Sequence, residues 1–370
     1  MKILIPRDVK GIYSFNPYDV QLIKGLENSG CDVDNGLFRL MDNDKNYDVI
    51  SFQWPEYILP ISPLPCNIQL DQFEKRLKIL KEKSVIVSTV HNEVPHNLSW
   101  SIYQKVYALI YKYSDGFIHF GNKSIEVLNS QFGCILKDKD HIIIPHGNYT
   151  YFGERINKKE AKKQLGFSDQ MFVLHIGGIR KMKELENIYN IAQVISKMGA
   201  NLIIYSKIRI PRVDVSGNKL SVLINQFKHK MEIREAISKI NRIKSVTINE
   251  KEVSFEDMST LISAADILLI SRVDSLNSGN VPLGFTYGCV VLGPDTGNIG
   301  EILRDHNNPV FSPSKDNVDL VTAVKKAFIA VKNGIGEINY NVAINDWDWN
   351  LVGLKQKNFF EHLLSKRKLS

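Results

Sequence analysis

The chain has 370 residues, of which 44% are hydrophobic and 24% are charged, with 47 Lys and Arg against 40 Asp and Glu. This composition excludes a disordered protein, a collagen-like fibre and a disulfide scaffold, and the length predicts two domains because single cores stop growing near about 250–300 residues. The net charge of +7 suits an anionic ligand or surface. Nucleic acid is not an expected partner, because the sequence has neither a helix-turn-helix or RNA-binding signature nor basic residues interleaved with aromatic ones.

The amino-terminal sequence and the cysteines indicate the compartment. MKILIPRDVK has too short an apolar run for a secretory signal, and no run approaches the about 20 apolar residues of a membrane span. The four cysteines, Cys31, Cys66, Cys134 and Cys289, form no CxxC pair and have no histidine at metal-ligand spacing. We expect them to be small buried apolar residues of a reducing compartment. The sequence therefore predicts a cytoplasmic protein.

Short apolar runs alternate with amphipathic runs of helix length in the first half of the chain. Strands are predicted at 2–6, 48–54, 85–91, 116–120 and 141–147. Helices are predicted at 18–30, 71–83, 101–114 and 122–133, the first and last of them ending at Gly30 and Gly133. Because parallel neighbours need a crossover helix, this alternation predicts a doubly wound parallel sheet.

The alternation restarts after a lysine-rich polar stretch at 156–170. Strands are predicted at 171–177, 200–206, 246–250, 266–271 and 289–294. Helices are predicted at 183–198, about 221–240, 254–265, 279–287 and 317–332, before a last amphipathic helix with a basic end. The predicted fold class is α/β, with two Rossmann-like doubly wound domains facing across a cleft. The domains are expected at 1–155 and 156–345, with a C-terminal helix at 346–370 crossing back to the N-terminal domain.

The loop after the first strand of the second domain is rich in glycine and basic residues. Open parallel sheets bind ligands beyond the carboxyl ends of their strands, so function is expected in such loops. HIGGIRKMKELE has glycines at 177 and 178, and then Arg180, Lys181 and Lys183 at a helix start. A helix N-terminus attracts anions, and basic residues there disfavour the helix unless an anion compensates them. The loop is therefore either a phosphate site or a solvated basic first turn.

Two further loops follow strands of the same predicted sheet. In SRVDSLNSGNVPLGFTYG, the residues Asn277, Ser278, Gly279 and Asn280 open a helix. They are plain caps or, together with the basic loop, the second wall of a diphosphate site. GPDTGNIGEIL is a glycine-rich turn that ends in Glu301 at a helix start. It is either a set of turns or a loop whose backbone and carboxylate bind the hydroxyls of a sugar.

These stretches resemble nucleotide-sugar-dependent glycosyltransferases of the GT-B fold, and the retaining family 4 group is the most similar. The resemblance rests on HIGGIRKMK, DILLISRVDSLNSGNVPLGFTYGCVVLGPDTGNIGEI, VIVSTVH and IIIPHGNY, and it is strongest over 171–303. It implies that Arg180 and Lys183 neutralise the donor diphosphate as the nucleotide leaves, which agrees with the charge that develops there. It also implies that His91 reaches the donor sugar, the alternative being a hydrogen-bonded structural histidine.

The resemblance further implies that Glu301 lies near the sugar or its pyrophosphate, and we expect Gly178 and Asn298 to bind substrate in the same loops. The family commonly has two glutamates eight positions apart, which fall on Ser275 and Leu283 of this chain. The second usually binds the nucleotide ribose, so the resemblance implies that residues 277–280 hold the ribose through backbone and amide groups. No cofactor and no metal are expected, because a basic loop can do the work of Mg²⁺.

The acceptor is expected in the first domain, by analogy with the family. The loop 6–19 offers Gly11 with Tyr13 and Tyr18, which either contact a sugar or pack the loop. The helix at 71–83 has apolar residues at helical spacing among basic ones. A core-facing helix with a solvated basic face is favoured there over contact with an anionic lipid surface.

The sequence therefore predicts an enzyme that moves a sugar from a UDP- or GDP-linked donor to a glycan or lipid-linked glycan acceptor. The transfer is expected to be metal-independent and retaining, and to serve surface polysaccharide synthesis in the cytoplasm or peripherally at the inner face of the membrane. Two alternatives remain open: a nucleotide-sugar epimerase or hydrolase of the same fold, and a non-catalytic module that binds a sugar nucleotide.

Overall fold

The computed structural model describes residues 1–9, 17–42, 45–58, 66–93, 100–210, 219–251, 253–313 and 317–369. The chain divides into two compact units, one made of Met1–Tyr151 with Asn345–Ser370 and the other of Phe152–Ile344. Each unit contains a six-stranded sheet whose strands pair in parallel. Within the described residues, no helix is long and apolar enough to cross a membrane.

The first unit alternates strands and helices. Its strands are β1 (Lys2–Ile5), β2 (Asp32–Asn35), β3 (Val49–Phe52), β4 (Val85–Thr89), β5 (Gly116–His119) and β6 (Asp140–Ile143). Its helices before residue 150 are α1 (Pro17–Asn28), α2 (Cys66–Lys83), α3 (Trp100–Tyr113) and α4 (Asn122–Leu136). The strand order is β2-β1-β3-β4-β5-β6. The central strands β3, β4 and β5 are buried along their whole length, as expected for parallel strands covered on both faces.

Two glycines at predicted helix ends behave differently. Gly30 has a φ of +84° and follows the last turn of α1, as predicted. Gly133 does not end α4, which continues to Leu136 with a non-helical backbone at Phe132. The prediction of a stop at Gly133 is therefore wrong.

The second unit begins with a helix in the lysine-rich stretch. Its strands are β7 (Phe172–Ile176), β8 (Asn201–Tyr205), β9 (Val246–Asn249), β10 (Ile267–Leu269), β11 (Val290–Pro294) and β12 (Val310–Phe311). Its helices are α5 (Lys158–Gln164), α6 (Met182–Lys197), α7 (Lys219–Asn241), α8 (Phe255–Ala264), α9 (Asn280–Thr286), α10 (Gly297–Asp305), α11 (Asn317–Lys332) and α12 (Ile335–Asn345). The strand order is β12-β11-β10-β7-β8-β9, so the direction of winding reverses between β7 and β10. Ligands of such sheets bind at the reversal, beyond the carboxyl ends of these two strands.

The last helix, α13 (Trp349–Leu369), packs against α1 in the first unit. The two helices approach closely because glycines face each other: a β-carbon on Gly353 would lie 2.2 Å from the backbone of Gly25. The Trp349 indole lies on Gly147 and donates to the carbonyl of Asn148 at 2.7 Å. The aromatic side chains of α13 thus complete the core of this unit.

Candidate functional site

The loop after β7 is held beside the loop after β8. Gly177 adopts a φ of +115° and donates its N–H to the carbonyl of Tyr205 at 3.1 Å. Ile179 donates to the carbonyl of Lys207 at 3.1 Å, and its own carbonyl accepts the N–H of Arg209 at 2.8 Å. The glycine-rich turn is therefore a defined structure at the carboxyl edge of the sheet.

A buried carboxylate organises the basic residues of this turn. Glu184, in the first turn of α6, is 3% exposed, and its Oε1 accepts the backbone N–H of Arg180 at 3.2 Å. The same oxygen lies 3.4 Å from Nε of Arg272, whose Nη2 donates to the carbonyl of Gly178 at 3.2 Å. Burial raises the pKa of Glu184, and the neighbouring Arg272 opposes that rise.

Two arginine side chains border the same glycine. A β-carbon on Gly178 would lie 3.7 Å from Nε of Arg180, and the guanidinium of Arg272 bonds the carbonyl of Gly178. Arg180 follows β7 and Arg272 follows β10, so one cation comes from each side of the point where the strand order reverses. Arg272 was not among the predicted site residues. The signal that could have found it is that Arg272 directly follows the apolar run predicted as a strand.

The lysines of the basic loop are more exposed than the arginines. The ammonium of Lys183 lies 3.4 Å from the carboxylate of Glu186, one turn along α6, and the Lys183 side chain is 38% exposed. Lys181 forms an ion pair with Asp274, which connects the loop after β7 to the loop after β10.

The predicted second wall lies directly beside the first. The side-chain amide of Asn280 donates to the carbonyl of Ile176, the last residue of β7, at 2.9 Å. The backbone N–H of Asn280 donates to Oγ of Ser278 at 3.3 Å, while Gly279 is exposed. The turn after β7 and the turn after β10 therefore adjoin, as a diphosphate site between them requires.

The third loop is tied to the second. The fully buried amide of Asn298 donates to Oδ1 of Asn277 at 2.8 Å, and its backbone N–H donates to the carbonyl of Leu276 at 2.9 Å. Helix α10 begins at Gly297, so Glu301 lies in its second turn and is half-buried. The prediction that Glu301 stands at a helix start is wrong, because α10 begins four residues before it.

The side chain of His175 connects the ends of three neighbouring strands at the carboxyl edge of the sheet. His175 of β7 is 4% exposed, with Nε2 2.9 Å from Oγ of Ser271 and Nδ1 3.0 Å from Oγ of Ser206. Burial, reinforced by the charge of Arg272, lowers the pKa of His175 to about 4. His175 is therefore a neutral link between β7, β8 and β10 near pH 7.

His91 follows β4 in the first unit and is 8% exposed. Its ring stacks on Trp54 with centroids 3.9 Å apart, and Nε2 lies 3.1 Å from Oε1 of Gln53. Since Gln53 donates its amide N–H to Oγ of Ser51 at 2.9 Å, its oxygen faces His91 and accepts the proton on Nε2. Burial, and then the charges of His146 and Arg7, hold the pKa of His91 well below its usual value.

Other predictions for the first unit have mixed outcomes. Gly11 and Tyr13 lie outside the described residues. Tyr18 is 1% exposed and is surrounded by aromatic rings, so the interpretation that it stacks on a sugar is wrong. Helix α2 does face the core, because Phe73 and Leu77 are fully buried.

The cysteines are only partly as predicted. Cys31 and Cys289 are buried as expected, but Cys134 is exposed, because it lies on the outer side of α4.

Leu283 stands where the resemblance to the glycosyltransferases places a ribose-binding glutamate, and it is 6% exposed inside α9. In the part of the chain that the structure describes, no group of three or more His, Cys, Asp or Glu side chains could hold a metal ion.

Comparison with family models and with curated proteins finds no match. Solved structures do match, over nearly the whole chain. Sucrose-phosphate synthase from Thermosynechococcus elongatus is 14% identical with a TM-score of 0.69, and the match covers 99% of both chains. HepE from Anabaena, in complex with UDP and glucose, is 12% identical with a TM-score of 0.66, covering 98% of this chain and 100% of that one.

The catalytic domain of starch synthase IV from Arabidopsis thaliana, bound to ADP and acarbose, is 13% identical with a TM-score of 0.65. That match covers 98% of this chain and 99% of the other. At such low identities these matches establish the fold. The chain therefore has the GT-B fold that was predicted from its sequence.

Proposed function

We propose that the chain is a glycosyltransferase that takes its sugar from a nucleoside diphosphate donor bound at the carboxyl edge of the second unit's sheet. The observation that carries the proposal is the pair of guanidinium groups, Arg180 and Arg272, that border Gly178 where the strand order reverses. A departing nucleoside diphosphate gains negative charge in the transition state. Fixed positive groups at that place stabilise the transition state more than the ground state.

In this proposal Arg180 and Lys183 neutralise the leaving diphosphate without a metal ion. Lys183 is free to turn toward the phosphate, since its pair with Glu186 is exposed and such pairs contribute only about 0–1 kcal/mol. Gly178 has no side chain, so a phosphate can approach the backbone between the two arginines. Arg272 holds the turn and adds a third cation to the site.

The second turn is proposed to hold the nucleotide ribose and the sugar. Asn277 and Ser278, with the exposed backbone of Gly279, offer hydroxyl, amide and N–H groups where the family's glutamate is replaced by the buried Leu283. Glu301 is proposed to bind sugar hydroxyls. Asn298 acts through Asn277, because its buried amide orients the side chain of that residue.

The acceptor is proposed to bind the first unit, near the neutral imidazole of His91. The acceptor that we propose is a glycan or lipid-linked glycan of surface polysaccharide synthesis. The donor sugar is transferred to it with retention of configuration, at the inner face of the membrane. Support for a nucleotide-linked glucose comes from HepE, which was solved in complex with UDP-glucose and has a TM-score of 0.65 against this chain.

A thermal-shift panel of UDP, GDP and their sugar conjugates tests the donor. A ligand at 100 times its Kd stabilises the fold by about 2.7 kcal/mol. For a unit of this size that corresponds to a rise in Tm of about 5–10 °C. The double variant R180A/K183A should lose the shift, whereas K197A, an exposed lysine in the last turn of the same helix, should keep it.

Turnover assays separate the proposal from its alternatives. Transfer to an acceptor glycan, lost in R180A/K183A and kept in K197A, supports a transferase. Fast consumption of the donor without any acceptor would instead favour an epimerase or hydrolase. Nucleotide binding with no turnover on any acceptor would favour a non-catalytic module and contradict the proposal.

A further inference from the structure

Helix α7 exposes a row of large apolar side chains. Leu223 is 62% exposed, Ile224 46%, Phe227 64% and Met231 47%. Among the side chains of α7 that the structure describes, those that pack against the core of the second unit begin at Ile233 and end at the fully buried Ile240. From Leu223 to Met231 the helix therefore presents its large apolar side chains to solvent, whereas its second half packs on the core. We call the four exposed residues the α7 face.

Basic side chains flank the α7 face on both sides. At 100° per residue, the four apolar residues span an arc of about 100°, with Lys228 beyond one edge and Lys230 beyond the other. Both lysines are exposed. The sequence from 219 to 231 contains no Asp or Glu. An apolar arc between lysines is the pattern of a helix that lies in a bilayer interface, since lysine stems can follow apolar surface while their charges reach headgroups.

The topology places this face near the proposed donor site. Helix α7 connects β8 to the parallel strand β9, so it starts at the carboxyl edge of the sheet and runs back toward the amino edge. The loop that precedes it bears the exposed Lys207 and Arg209, next to the turn that contains Arg180. The exposed first half of α7 and the donor site therefore belong to the same edge of the second unit.

We propose that the α7 face inserts into the interface of an anionic lipid bilayer. Four side chains on one helix offer no more than a few hundred Å² of apolar surface, whereas a stable protein–protein interface buries about 1,200–2,000 Å². The flanking lysines fit anionic headgroups, but they would repel the identical lysines of a second copy. Docking through this face brings the edge that carries the donor site to the lipid surface.

The basic helix α2 exposes less apolar surface: among its described side chains, Ile79 is the one large apolar residue that is exposed, at 46%. Its apolar residues Phe73 and Leu77 are buried in the core, and Arg76 is only 7% exposed, donating to the backbone carbonyls of Leu40 and Asp42. The α7 face is therefore the better candidate for insertion, since α2 and α7 each carry five Lys or Arg residues and differ in their exposed apolar surface.

Co-sedimentation of the full chain with vesicles tests the proposal, without nucleotide or acceptor. We expect binding to vesicles of 30% phosphatidylglycerol in phosphatidylcholine, and much weaker binding to pure phosphatidylcholine. F227S/M231S should weaken binding more than tenfold at unchanged Tm. K228Q/K230Q should weaken it about 30-fold at low salt, because a lysine near an anionic surface contributes about 1 kcal/mol. The matched control is I329S, which removes a 56% exposed isoleucine on α11 and should bind as the wild type does.

Two outcomes overturn the proposal. One is equal binding of F227S/M231S and wild type to the anionic vesicles. The other is a concentration-dependent dimer in sedimentation velocity that F227S/M231S abolishes, with no vesicle binding, which would make the face an interface between copies of the chain. Since no sugar transfer is measured, neither outcome depends on whether the chain is a glycosyltransferase.

Discussion

Replacing Arg272 with methionine tests how the basic turn is held. The variant leaves the carboxylate of Glu184, which is 3% exposed, without its cation. Breaking a buried ion pair costs about 3–5 kcal/mol because an uncompensated charge remains. Arg272 is 20% exposed and its Nε lies 3.4 Å from the carboxylate oxygen, so solvent and distance reduce the coupling. We expect R272M to lose about 2 kcal/mol of unfolding free energy at neutral pH.

The loss should depend on pH in a defined direction. Burial already raises the pKa of Glu184, and Arg272 opposes the rise, so R272M should raise this pKa further. A carboxyl group whose folded pKa exceeds its unfolded value of about 4.3 contributes stability below that value, and the contribution is lost as pH rises through the folded pKa. The defect of R272M should therefore be small at pH 4 and largest above pH 7.

Thermal denaturation of the full chain between pH 4 and 8 measures this effect. About 2 kcal/mol in a unit of this size corresponds to about 4–8 °C in Tm. The control R304M breaks the exposed pair with Asp295 and should change Tm little. In an E184Q background the R272M loss should shrink, because no charge is left to compensate. A defect of equal size at pH 4 and pH 8, or strict additivity with E184Q, would refute the reasoning.

Two further predictions concern stability elsewhere. Burial raises the pKa of Asp19 to about 6. The stability that this group contributes is therefore present below about pH 4 and is lost, by about 2–3 kcal/mol, as pH rises through 6. D19N should flatten the dependence of Tm on pH in that window. G297A should lower Tm by more than G166A does, because Gly297 has a φ of +52° and its β-carbon would lie 2.6 Å from the Leu276 carbonyl, whereas Gly166 has a φ of +68° and open space; equal losses would contradict this.

The sheets were predictable where their strands are apolar. Strands β3, β4 and β5 are buried on both faces, and the same apolar run that buries them makes them visible in the sequence. Strand β2, with the sequence DVDN, lies at the edge of the first sheet and is half-exposed, so no hydrophobic pattern marks it. The edge strand β12 is apolar but has only two residues, which are too few to show a pattern.

The lysine-rich stretch hid a helix because its buried positions are not the usual apolar ones. In α5 the buried residues are Ala161 and Lys162. The ammonium of Lys162 is satisfied by the carboxylate of Asp266 at 2.9 Å and by the carbonyl of Gln170 at 3.0 Å. A buried lysine with a carboxylate 104 positions away leaves no periodic signal in the sequence.

In the candidate site too, features that follow from the order of strands and helices were predictable, whereas side-chain pairs between distant positions were not. That the two strand-end turns adjoin followed from the alternation of strands and helices, because parallel strands present their carboxyl ends at one edge. That Glu184 pairs with Arg272, 88 positions away, followed from no local pattern. Both residues lie in the stretches predicted to form the site, but only the folded chain shows which cation each carboxylate meets.

The buried carboxylate explains how two arginines can be held around one glycine before any anion arrives. Two guanidinium groups beside one glycine repel each other, and this repulsion alone would open the turn. Glu184 offsets that repulsion through Arg272 and fixes the backbone N–H of Arg180, so the turn keeps its shape. The three carboxylates of Glu184, Glu186 and Asp274 meet four cations, Arg180, Lys181, Lys183 and Arg272, so the edge keeps an excess of positive charge. The turn is thus held by its internal anion and still offers positive charge to the diphosphate of the proposed donor, which brings more charge than Glu184 supplies.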